Sequence, residues 1–136
     1  MRYTEEANRL ILSAAQQARR LGHSYVGSQH LLVAMVNEPG WTGHLLQISG
    51  LDEDHALAIL ARLYGVGAQM PLPHGFSNTA KHLLRSAALE AKRMGHKDIR
   101  SVHILLAMLR REKTGARAVL RSAQIDPNEV FTRTID

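Results

Sequence analysis

Eight histidines stand in this chain of 136 residues, and four recur at matched places: His23 and His30, then His96 and His103. Imidazole nitrogens bind metals, move protons or anchor turns. Histidines seven residues apart do not form the i, i+4 ligand pair of a metal-binding helix, and no carboxylate cluster completes a shell. These rings are therefore expected to hydrogen-bond a turn between two helices, with no metal held. Glu5-Glu6 and Asp52-Glu53-Asp54 are adjacent carboxylates where helices should start. Capping explains them better than a general acid–base pair does. There is no glycine-rich phosphate loop, no Gly-x-Ser-x-Gly elbow and no His-Glu-x-x-His helix, so catalysis is not expected. Cysteine is absent, which removes disulfides, thiolate metal sites and thiol nucleophiles together and suits a reducing, cytoplasmic setting.

Two further features suit recognition. Thr4 with Ser28, and Ser77 with Ser101, place hydroxyls and free amides at expected helix starts, which bind anions well. Simple capping is the alternative. Trp41, the single tryptophan, follows Glu38-Pro39-Gly40 in a turn. It is either a lid on the core or an exposed anchor for a partner.

An internal duplication must position these residues. Shifted by 73, residues 3–36 fall on residues 76–109 without a gap, and 14 of the 34 positions are identical. After one inserted residue the shift becomes 74, pairing Leu46 with Leu120 and Asp52 with Asp126. We read repeat one as 3–64, a Gly- and Pro-bearing linker as 65–75, and repeat two as 76–134.

Each copy has a helical period. Ala7, Leu10, Ala14 and Ala18 form a stripe that Ala80, Leu83, Ala87 and Ala91 repeat. Thr4 and Ser77 are expected N-caps, and Gly22 and Gly95 are expected left-handed stops. Ser28 and Ser101 are expected to cap second helices, about 29–37 and 102–111. These are apolar almost all round and so belong at the centre. Shorter helices are expected near 42–49, 52–63, 115–123 and 127–134, with Pro127 in a first turn. No segment alternates with period two. The fold class is all-α, with no sheet: about eight helices with pseudo-twofold symmetry.

Charge divides unevenly. Residues 1–70 carry −1 and residues 71–136 carry +6. The second half is the face expected to meet an acidic partner, unless it is only a solvated basic surface. Nucleic acid fits poorly, because aromatics are 4% and the basic groups spread over three helices. No apolar run approaches the roughly 20 residues that span a bilayer, and the N-terminus does not read as a signal peptide.

Arg20-Leu21-Gly22-His23 through Ser28-Gln29-His30-Leu31-Leu32 is repeated as Arg93-Met94-Gly95-His96 through Ser101-Val102-His103-Ile104-Leu105. This doubled signature resembles the Clp N-terminal domain, most closely that of ClpC-type AAA+ unfoldases. The likeness runs from Tyr3 to about Phe131. It implies two four-helix repeats and a non-catalytic role: docking adaptor proteins and unfolded or marked substrates onto a ring that feeds ClpP. ATP would bind in other domains, with no cofactor here, and an excised N-domain would be monomeric. The chain is then an N-domain of a longer protein. A free-standing relative acting as a regulator, on nucleic acid through its basic half, is the alternative.

ClpC-type domains also recognise phosphoarginine. In that family each repeat carries Gly-Thr-Glu-His, the Glu pairing with the guanidinium. Here the copies read Gly27-Ser28-Gln29-His30 and Arg100-Ser101-Val102-His103. The hydroxyls remain and both carboxylates are gone. A charge-assisted bond contributes roughly 1.5–3 kcal/mol, so each site is expected to weaken about ten- to a hundredfold. Arg100 beside Ser101 leaves room for an anion without a guanidinium.

Overall fold

The computed structural model describes residues 1–68 and 73–135. Its helices are α1 (Glu5–Arg20), α2 (Ser28–Val36), α3 (Trp41–Ile48), α4 (Glu53–Tyr64), α5 (Asn78–Arg93), α6 (Ser101–Arg110), α7 (Gly115–Ser122) and α8 (Pro127–Ile135). No strand occurs among the described residues, only two isolated bridges. The all-α expectation holds. The proposed linker 65–75 lies partly outside the described residues, Pro71 included.

The long first helices start as the sequence requires. Thr4 Oγ1 accepts from Ala7 N–H at 3.2 Å, and Ser77 Oγ accepts from Ala80 N–H at 3.1 Å. Both end at a left-handed glycine, Gly22 at φ 68° and Gly95 at φ 72°. Their alanine stripes are fully buried. With only a methyl group at three positions of each stripe, α1 packs closely on α2 and α5 on α6.

α2 and α6 form the centre. Leu31 through Val36 and Ile104 through Leu109 are all buried. α2 packs on α1, α3 and α4 of its own copy and on α5, α6 and α7 of the other. α6 packs on α5, α7 and α8, and on α1, α2 and α3. The second set is the first with the copies exchanged, which establishes the pseudo-twofold relation. The backbone repeats it. Tyr3 bridges Ile99, and Val26 bridges Phe76. Thr4 N–H donates to the Ile99 carbonyl at 2.9 Å, and Ser77 N–H donates to the Val26 carbonyl at 2.8 Å. Each copy's entry into its first helix is thus stitched to the other copy's entry into its second.

The histidines fix the turns between first and second helices. Gly27 N–H donates to His30 Nδ1 at 2.9 Å, so His30 must carry its proton on Nε2. That proton points to His23 Nδ1 at 2.8 Å, and His23 Nε2–H then donates to the Gly65 carbonyl at 2.8 Å. One polarity satisfies the whole relay, which ties the end of α4 to the start of α2. In copy two, Arg100 N–H donates to His103 Nδ1 and His103 meets His96 at 2.8 Å. The structural role expected for these rings is observed.

This relay corrects one expectation. Ser28 and Ser101 are the first helical residues; Gly27 and Arg100 hold the cap position. A histidine ring at the third helical residue satisfies the cap amide, so no cap hydroxyl is needed.

Two outcomes follow for stability. Burial, reinforced by His23, lowers the His30 pKa to about 4 from 6.5. The unfolded chain therefore binds the extra proton between about pH 6.5 and 4, and stability falls as pH drops through that window. Urea unfolding should show a loss of about 3 kcal/mol across it, absent above pH 7 and reduced in His30→Gln. Positive φ strains an added side chain at both glycines, but a Cβ at Gly22 would also strike the Gly67 carbonyl, whereas Gly95 faces open space. Gly95→Ala should cost about 1 kcal/mol and Gly22→Ala about 2–3, read as unfolding midpoints.

Candidate functional site

Exchange of the copies brings helix starts together in pairs, and the pairing differs from the one expected. Thr4 is tied to the Ile99 segment leading to Ser101, and Ser77 to the Val26 segment leading to Ser28. The hydroxyls therefore group across copies rather than within them. Those of Thr4 and Ser77 are committed to their own caps.

The first cleft, of about 260 Å³, lies where the starts of α2, α5 and α7 meet. Ser28, Gln29 and Ser77 all line it, with Lys113 and Thr114 opposite. Its polar groups are largely spent. Ser28 is buried, and its Oγ accepts from Ala116 N–H of α7 at 3.0 Å. Thr114 Oγ1 accepts from Arg117 N–H at 3.1 Å. Gln29 lies over Gly27 and Gly115 so tightly that a Cβ on either would strike its carboxamide. The side chain that replaces the expected carboxylate thus fills the gap between the two helix starts.

The second cleft is larger, about 440 Å³, where the start of α6 meets that of α3 beside α1. Trp41, Arg100, Ser101 and Val102 line it together with Glu6 and Met94. Trp41 is the first residue of α3, behind Gly40 at φ 126°, and not a turn residue. It is 51% exposed, so it is not a lid sealed over the core. Met94 is exposed beside it. Hydrogen-bonding capacity is unspent here. Ser101 Oγ is buried without a partner, and Gly40 has no side chain with which to cap α3. The α6 start is already answered: Glu6 Oε1 accepts from Ser101 N–H at 3.4 Å. The sequence placed Glu6 at its own helix start; the structure turns it across the seam. Glu38 shares the wall, its carboxyl raised above the usual range by burial, with Arg9 opposing and Glu6 adding.

Sequence reasoning found Arg100, Ser101 and Trp41 but not their company. Glu6, Met94 and Glu38 come from α1, the end of α5 and the loop before α3, and only the exchanged seam gathers them.

The two serines should respond oppositely to truncation. Ser28→Ala strands the buried Ala116 N–H and should cost about 1–3 kcal/mol. Ser101→Ala removes a hydroxyl that has no partner and should be neutral or slightly stabilising, as thermal unfolding of both variants would show.

Comparison with known proteins agrees with this architecture. The model of the Clp repeat (R) N-terminal domain matches residues 2–70 and 75–135. The chloroplastic chaperone protein ClpC1 of Oryza sativa subsp. japonica is 34% identical over 138 aligned residues, covering 98% of this chain and 15% of that protein. The chain thus spans about 15% of the length of that relative. The crystal structure of the N-terminal domain of the chaperone ClpD from Arabidopsis thaliana superposes with a TM-score of 0.84 at 24% identity, covering 98% of this chain and 95% of that one. A ClpV N-domain in complex with a VipB peptide superposes at 0.70 with 21% identity, covering 97% and 84%. With both copies of the repeat matched and the exchanged packing in place, this chain belongs to the Clp repeat N-terminal domain family.

Proposed function

We propose that this chain docks adaptor proteins and unfolded substrates for a ClpC-like ATP-dependent unfoldase. The ring itself, its ATP site and its delivery of substrates to ClpP would reside in other parts of such a protein. The observation that carries the reading is the second cleft. There Trp41 and Met94 offer an exposed apolar rim above a buried serine hydroxyl that has no partner. Anchors of this kind, an aromatic ring beside unsatisfied polar groups, concentrate binding energy when a partner excludes water. The solved ClpV N-domain complex supports a peptide as the ligand class. The compartment proposed is the cytoplasm.

Phosphoarginine recognition is proposed to be weak at both clefts. In the first, Gln29 occupies the gap and Ser28 is engaged. In the second, an incoming phosphate at the α6 start would meet the Glu6 carboxylate. Charge repulsion there adds to the loss of the carboxylate at Val102.

Trp41 is the sole tryptophan, so its emission reports the second cleft directly. A reduced, carbamidomethylated protein without tryptophan serves as the unfolded probe. The expected result is a saturable blue shift in the unaltered chain and, by isothermal titration calorimetry of both chains, an affinity about tenfold lower in Trp41→Ala at unchanged thermal stability. An unshifted emission, or full affinity in Trp41→Ala, would remove the basis for docking at this cleft. In a parallel NMR titration, free phosphoarginine should move the Ser28 and Ser101 amides no more than phosphate or arginine alone; a selective, saturable response would overturn the predicted weakness.

A further inference from the structure

Arg117 presents a charge that the fold leaves unanswered. It is 6% exposed, yet it makes no ion pair among the described residues. One guanidinium nitrogen donates to the Leu109 carbonyl at 2.6 Å, and another reaches Asn128 Oδ1 at 3.4 Å. Nε is buried with no partner. Neutral oxygens and the negative end of α6 offset only part of the cost of burying a cation. Nor does the repeat require it. The corresponding residue of copy one is Gly43, packed so tightly on the Glu38 and Met35 carbonyls that a Cβ would strike them. The buried cation is an addition of copy two.

It forms part of a hollow of about 780 Å³ between the end of α6, α7 and α8. Lys113 and Arg121 also line this hollow; both are exposed and free of ion pairs among the described residues. Arg110 forms a wall rather than a free charge, since Glu90 pairs with it and it stacks over Phe131 at 5.0 Å. Glu112 is the one acid in the lining. The excess of positive charge is thus local and concave, not merely spread over the second half of the chain.

We propose that this hollow binds acidic peptide segments of partner proteins. Arg117 and Arg121 stand one helical turn apart on α7, about 6 Å along its axis. Alternate side chains of an extended peptide are about 6.5 Å apart, so one carboxylate pairs with the exposed Arg121 while its neighbour at i+2 lies over the buried Arg117, whose charge attracts it without a direct contact to Nε. Single-stranded nucleic acid fits less well. Phe131 is the only aromatic ring in the lining, and Arg110 already covers it, so no base can stack there.

The test uses the 136-residue chain and a fluorescein-labelled ten-residue peptide of alternating glutamate and serine. A lysine–serine peptide and a ten-nucleotide oligothymidine are the comparison probes. The glutamate peptide should bind saturably and move the amides of Lys113, Arg117 and Arg121. Because Arg117 also ties down the end of α6, the exposed pair carries the mutational arm. Lys113→Gln with Arg121→Gln should weaken binding about tenfold, and Lys113→Arg with Arg121→Lys should retain it. Arg133→Gln, whose arginine pairs with Glu129 elsewhere on α8, should change affinity less than about twofold. No saturable binding, an equal loss in Arg133→Gln, or shifts confined to other surfaces would overturn the proposal. Tighter binding of oligothymidine would overturn it in favour of nucleic acid.

Discussion

Two helices in this protein have almost no outside. α2 from Leu31 to Val36 and α6 from Ile104 to Leu109 are apolar and buried on every side, and four helices of one copy cannot cover either of them. Each is closed by three helices of its own copy and three of the other. Water exclusion from these central helices therefore makes the duplication obligatory to the fold. With roughly 25 cal/mol gained per Å² of apolar surface removed from water, a copy that exposed Leu31 or Leu105 would forfeit several kcal/mol. The alanine stripes of α1 and α5 serve the same end by letting long helices lie close to the central pair.

The site is a consequence of that closure. Helix starts collect at the seam because each copy's entry segment is hydrogen-bonded to the other's. Pseudo-symmetry gives two clefts of the same plan, and a few side chains make them unlike. Gln29 and the Ser28 hydroxyl fill the first. Val102 and Gly40 leave the second open, with Glu6 taking the α6 amide. Farther out, Arg117 stands where the first copy has Gly43 and lines a basic hollow of the second copy. Duplication thus keeps the scaffold while its two halves diverge in chemistry.

Much of the fold was legible in the residues. The 73-residue shift, the alanine stripes, the threonine and serine caps and the terminal glycines each have a local cause, and each appears where its cause placed it. So does the histidine relay, because residues seven apart face each other across a helix–turn–helix corner. Ser28 and Ser101 carry a capping hydroxyl, but the ring of His30 or His103, three residues after the cap position, satisfies the cap amide instead. The other departures are non-local. Thr4 and Ser28 share a copy, yet the exchanged seam ties Thr4 to the Ile99 segment. Trp41 was ambiguous because nothing in Glu38-Pro39-Gly40-Trp41 says which side of α3 meets the core. Glu6, Met94 and Arg117 carried no motif at all.

The central claim is that neither copy holds its central helix without the other. Native-state hydrogen exchange measures this amide by amide. The seam amides of Thr4, Val26, Ser77 and Ile99 should exchange only through global unfolding, with the same free energy and the same denaturant dependence as core amides of α2 and α6. Two distinct sets of protection, with residues of one copy opening while the other stays closed, would contradict it.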